Sequence, residues 1–141
     1  MSDASQPTVS SESSLKLTAL LSYGLMLLAC TNGFTALIGV VIAYVKREDA
    51  RGTLYESHFR NIIAVFWTSL ALFVLFLAVV GAGIVHFFGI PPQPPEHFAR
   101  THLPEMIGGG VLVWGTMICF AVWYLYRVIK GFVRALDGRA Y

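Results

Sequence analysis

The chain has 141 residues, 56% hydrophobic and 13% charged, with a net charge of +2 and a mean hydropathy of +0.66. Ordinary soluble domains are nearer about 45–50% apolar and about 25% charged. Disorder throughout, a disulfide-stapled mini-protein and a nucleic-acid-binding module are excluded, a soluble enzyme is disfavoured, and a small integral membrane protein of one bundle remains.

Residues 1–14, MSDASQPTVSSESS, are Ser-rich and nearly devoid of large apolar side chains. They predict a disordered tail, because they bury too little apolar surface to offset ordering entropy. A transmembrane domain follows over 15–128, and a tail over 129–141 closes the chain. Three apolar runs carry the domain: Leu17 to Val45, Ile62 to Ile90 broken only by His86, and Met106 to Tyr126. A spanning helix needs about 20 apolar residues, so three spans are expected, at about 17–45, 62–88 and 106–126.

The first run is awkward in length. As one helix it would measure roughly 43 Å, against about 30 Å of hydrocarbon. Asn32-Gly33, a turn-type dipeptide, sits near its middle. The expected fold class is all-α, an integral-membrane three-helix bundle whose first helix is long and tilted or kinked near Asn32-Gly33. A re-entrant pair of half-helices is the alternative, which lipid tolerates only if other helices shield the broken backbone. Asn32, an amide in mid-span, is expected to make an interhelical hydrogen bond worth roughly 0.6–2 kcal/mol. Leu27-Leu28-Ala29-Cys30 resembles a lipobox, although the flank after Cys30 is apolar and Lys16 alone makes a thin basic region before it.

Charge sets orientation. Lys46, Arg47, Arg51 and Arg60 flank the first loop, and Arg127, Lys130, Arg134 and Arg139 follow the third span, leaving Lys16 and Arg100 of the 10 basic residues. The positive-inside rule then places the 46–60 loop and the C-terminus in the cytoplasm and, with three crossings, the N-terminus outside. Two half-helices in the first run would return the N-terminus to the cytoplasm. Five prolines between 91 and 104 predict an extended crossing in place of a helix. Beyond the third span, Leu125, Val128, Ile129, Phe132, Val133 and Leu136 recur at helical spacing, opposite Arg127, Lys130 and Arg134. That pattern predicts an amphipathic interfacial helix on the anionic inner leaflet, with those three basic residues at the membrane surface.

Small residues form a stripe on each span: Ala29, Asn32, Ala36, Gly39 and Ala43; Ala64, Thr68, Ala71, Ala78 and Ala82; Gly108, Gly115 and Cys119. Such stripes let helix backbones approach, either within the chain or at an oligomer or partner interface. The histidines do not converge on one ligand: His58 and His86 lie about 42 Å apart along one helix. His86, His97 and His102, with Glu96 and Glu105, lie on the other side without a ligand spacing, which leaves a metal or haem carrier as a weak reading. Cys30 and Cys119 sit in apolar runs and suggest neither zinc nor redox chemistry. No Asp, Glu, Lys or Arg lies mid-span, so proton relays and ion-coupled transport lack carriers. No catalytic residue, metal or cofactor is expected.

The most distinctive stretch is 45–67, VKREDARGTLYESHFRNIIAVFW. Glu56, Ser57, His58 and Arg60 are expected to form a polar cluster at the start of the second span, with Thr53 or Ser57 as cap. Topology signal plus helix start is the simpler account. The pattern AYVKREDARGTLYESHFRN with Phe66-Trp67, followed by WYLYRVIKGFVRALDGR, resembles a family of uncharacterised small proteobacterial inner-membrane proteins. That family is distantly related to the Tic-twenty-like superfamily, which includes an inner-envelope subunit of the chloroplast import translocon. The likeness covers roughly residues 20–139. It implies a bacterial inner membrane and a helical bundle, and the plastid relatives imply protein translocation. The plastid subunit has four spans, one more than counted here.

The sequence thus points to a non-enzymatic, multi-spanning protein that acts through contacts. Its expected partners are the lipid bilayer and either copies of itself or a larger membrane complex, and no nucleic acid. Interaction candidates are Asn32, Glu56, Ser57, His58 and Arg60. An oligomeric pore or translocation component is the second reading.

Overall fold

The computed structural model describes residues 9–90 and 94–141. They form α1 (Val9–Asn32), α2 (Phe34–Arg47), α3 (Leu54–Phe88) and α4 (Pro95–Leu136), with no strand among the described residues. Ser11–Cys30 of α1, together with α3 and α4, are long and apolar enough to cross a membrane. Helix α1 begins at Val9, inside the segment expected to be a tail; residues 1–8 lie outside those described.

The first apolar run is not one kinked helix. Gly33 adopts φ +65°, a left-handed conformation that costs other L-residues energy and that an α-helix cannot continue through. Its N–H still bonds Ala29 O at 2.8 Å, closing α1. Asn32 Oδ1 then accepts from the backbone N–H and the hydroxyl of Thr35, each at 3.3 Å, and caps the start of α2. Asn32 is exposed, and its side chain bonds across the α1–α2 turn to the first turn of α2, not to a distant span. Helix α2 folds back antiparallel on α1. A Cβ on Gly39 would lie 3.1 Å from Ser22 O and 3.6 Å from Met26 Cγ, and Val40 and Ala43 are buried. Part of the first small-residue stripe is therefore consumed within this hairpin.

Helix α3 starts with a cap. The Thr53 hydroxyl accepts from Tyr55 N–H at 3.3 Å, and Glu56 Oε2 accepts from Gly52 N–H at 3.0 Å, close to the reciprocal pattern of a capping box. The prolines before α4 do not forbid a helix. Pro95 occupies the first helical position, where no N–H is required, and Pro94 O accepts from His97 and Phe98 N–H, each at 3.0 Å. Pro104 lies inside α4, where one missing backbone bond is tolerated in so long a helix.

The contacts group the chain into two compact units. One comprises residues up to Thr68 together with Tyr124–Tyr141, and the other is Ser69–Trp123. The first has a core of Tyr23, Met26, Phe59, Ile62, Val65, Val128 and Ala135, all essentially inaccessible. Helix α4 runs unbroken to Leu136, and Val128, Gly131 and Ala135 on it are buried. The segment expected to be an interfacial amphipathic helix is the end of α4; it packs on protein through Val128, Gly131 and Ala135, while Ile129, Val133 and Leu136 of its apolar stripe stay exposed. In the second unit, the consecutive residues Leu72, Phe73, Val74 and Leu75 are 42–59% exposed, so large apolar groups point outward around the whole helix.

Candidate functional site

A connected set of polar side chains of the first unit converges on the start of α3. His58 is fully buried there, beside Tyr23 of α1 and Asn61 one turn further along α3. His58 Nε2 lies 2.8 Å from Arg139 O. A carbonyl can only accept, so Nε2 carries the proton. In the neutral ring Nδ1 is then the acceptor, and the Tyr23 hydroxyl donates to it at 3.3 Å. That hydroxyl accepts from Asn61 Nδ2 at 3.1 Å, and Asn61 Oδ1 accepts from Arg127 at 2.8 Å. The opposite amide orientation would set an NH2 group against the guanidinium, so Arg127 fixes the direction of the whole chain. Donation runs one way, from Arg127 through Asn61, Tyr23 and His58 to the backbone of Arg139.

The residues after α4 close over this chain. Tyr141 N–H donates to Ser57 Oγ at 3.0 Å, while Ser57 Oγ donates to Leu54 O at 2.8 Å. The Tyr141 ring stands 6.3 Å from that of His58. The Arg127 guanidinium lies 5.5 Å from the Tyr141 ring centroid and Lys130 Nζ 5.8 Å, both within cation–π range. At the same end, Lys16 Nζ donates to Leu136 O at 2.7 Å and satisfies a terminal carbonyl of α4. The beginning of α1, the α2–α3 loop, the beginning of α3 and the end of α4 therefore meet at one end of this unit. The N-terminal side of α1 lies with the C-terminus of the chain, not opposite it as a three-span count requires.

Comparison with the known protein families, with curated proteins and with solved structures finds no match.

The expected grouping of Glu56, His58 and Arg60 does not form. Residues two apart on a helix point to nearly opposite sides. His58 faces the core, Arg60 is exposed, and Glu56 turns back to the cap at Gly52. Ser57 receives the C-terminal backbone, and Thr53 takes the capping role. Arg127 is partly buried and bonded to Asn61, whereas Arg134 reaches Ala140 O at 3.4 Å and Lys130 stacks over Tyr126 and Tyr141. Sequence reasoning missed Tyr23 and Asn61. The signals were present: Asn61 follows His58 at the i, i+3 spacing of one helix face, and Tyr23 brings a hydroxyl into an uncharged run that must find a partner when buried. In the second unit, His102 Nδ1 lies 3.3 Å from Glu105 Oε2, and no group of three metal-ligating side chains occurs among the described residues.

Proposed function

We propose that the chain is a multi-pass inner-membrane protein that works through contacts, as an interaction or assembly subunit, and not as an enzyme. The observation that supports this reading is the contrast between its glycines. Gly39 and Gly131 have neighbours where a Cβ would sit, but Gly108, Gly109, Gly110 and Gly115 of α4 meet nothing within 4 Å among the described residues. Helices associate in lipid chiefly through close packing of small residues and hydrogen bonds, since lipid tails are as apolar as the side chains they would displace. A glycine-rich stretch left open within one copy suits another copy or a partner helix. Blue-native electrophoresis of native membranes should show a higher assembly of the parent chain, and replacing Gly108 and Gly115 together with leucine should remove it while leaving the melting temperature of the purified chain unchanged. An unaltered assembly rules this face out. The narrower reading, a component of a protein-translocation assembly, draws support from the resemblance to the Tic-twenty-like superfamily, although three helices here, not four, are long enough to span.

All Lys and Arg residues except Arg100 belong to the first unit, and the contacts there bring the beginning of α1, the end of α4 and the α2–α3 loop to one end. The positive-inside rule assigns that end to the cytoplasm. Helix α2, at about 21 Å, is shorter than the roughly 30 Å hydrocarbon core, and its antiparallel packing on α1 carries the chain back toward the side where α1 began. Reporter fusions at the N-terminus, after Ala50 and after Tyr141 should report a cytoplasmic location, and one after Gly89 the opposite side. A periplasmic signal at either terminus overturns the assignment.

A further inference from the structure

The first unit contains a cleft of about 160 Å³ lined by Ser57, Arg60, Asn61, Ala64, Arg127 and Tyr141. Two guanidinium groups line it and no carboxylate side chain does, so the charge of its lining side chains is positive. The wall is fixed by bonds already described: Arg127 on Asn61 and the Tyr141 backbone on Ser57. Its volume is well below the roughly 300–1,000 Å³ of pockets that enclose drug-sized ligands, so it suits a single small group. Guanidinium forks match the oxygens of a phosphate in geometry and charge. Arg60, Ala64 and Trp67 follow at i, i+4 and i+7 on one exposed face of α3, and the Trp67 indole is held by a 2.7 Å bond to the Tyr44 hydroxyl. That face offers an apolar track leading away from the cationic cleft.

We infer that this cleft binds a phosphate-type oxyanion, presented by the headgroup of an anionic phospholipid whose acyl chain lies along Ala64 and Trp67, or supplied as free phosphate. Arg60 and Arg127 hold the oxygens, the Ser57 hydroxyl and Asn61 amide border them, and Tyr141 forms the outer wall. The lipid source rests on the cytoplasmic placement proposed above, because basic pockets at that surface meet anionic headgroups.

The test is native mass spectrometry of the full chain in detergent, titrated with phosphatidylglycerol or phosphatidylcholine, beside thermal shift with inorganic phosphate alone. Phosphatidylglycerol should be retained over phosphatidylcholine. Arg60→Gln should weaken retention about fivefold, the loss expected of one cation facing an anionic group. Arg60 is exposed, so its variant should melt like the parent. Arg51→Gln, which removes a cation outside the cleft, should bind as the parent does. Stabilisation by inorganic phosphate with the same dependence on Arg60 identifies the free anion as the source and keeps the site; its absence alongside lipid retention identifies the headgroup. Equal losses for Arg51→Gln and Arg60→Gln, or neither lipid preference nor phosphate binding, overturn the inference. Binding is read in detergent, so its failure and a failure of the reporter-fusion topology are separate results.

Discussion

Gly131→Ala should destabilise the first unit by about 2–4 kcal/mol, the largest effect expected from adding a single methyl group to this chain. An alanine Cβ would lie 2.5 Å from Cε1, Cζ and the hydroxyl oxygen of Tyr23, well inside van der Waals contact. The Tyr23 ring is rigid and fully buried, so relief requires either the ring or α4 to move. Overpacking of this kind costs about 1–3 kcal/mol. Displacing the ring also strains its bonds to Asn61 and His58, and a buried polar group left unmatched adds about 1–3 kcal/mol. Gly24→Ala is the control: nothing lies within 4 Å of its Cβ position, and alanine is the better helix former by about 0.8–1 kcal/mol. Thermal melts of the purified chain in detergent should drop clearly for the first variant and hold or rise for the second. Tyr23→Leu in the Gly131→Ala background should cost less than the two separate losses combined, because the removed ring is what the methyl group strikes.

The same contact explains why parts of the architecture were legible in the sequence and parts were not. Uncharged runs long enough to span a membrane announce themselves by composition, and α1, α3 and α4 are the helices that meet that test. The division of the first run was harder to read. A run too long for one upright span and too short for two long ones is settled by one backbone conformation, Gly33 at φ +65°, together with the fit of Gly39 against Ser22 and Met26. Hydropathy carries neither. The prolines near 94–104 misled because their effect depends on position: Pro95 opens a helix that the same residue in mid-helix would weaken. The amphipathic pattern at the end of α4 was real, but a stripe of apolar residues does not say whether lipid or protein covers it. Gly131 was the indication of protein, since it lies on the same side of α4 as Val128 and Ala135 and admits the Tyr23 ring.

The polar site was half legible for a related reason. Its residue types stood out at 56–61, but grouping them by nearness in sequence joined Glu56, His58 and Arg60 across opposite helix faces. Burial separates them: His58 turns inward to a tyrosine 35 positions away, and Asn61 to an arginine 66 positions away. The local pattern marks Asn61 and Tyr23 as polar groups in need of partners, but it does not say which distant residue each one meets.

The long-range pairing makes Asn61→Leu the second large effect. Asn61 is nearly inaccessible, and its amide both donates to the Tyr23 hydroxyl and accepts from Arg127. Leucine removes both roles and leaves the guanidinium facing an apolar group. Hydrogen bonds to charged groups contribute about 1.5–3 kcal/mol, and the unmatched partner adds to the loss, so about 2–4 kcal/mol is expected. Arg127→Leu should cost a similar amount by leaving Asn61 Oδ1 unmatched. Replacing both partners with apolar side chains removes the mismatch as well as the bond, and such double replacements are often close to neutral. The double variant should therefore be more stable than the sum of the single losses predicts, by a coupling of about 1–3 kcal/mol. Chemical unfolding of the four proteins in detergent measures that coupling directly. Strictly additive losses would mean that Arg127 and Asn61 act independently, and that the one-way chain from Arg127 to His58 does not hold the helix ends together.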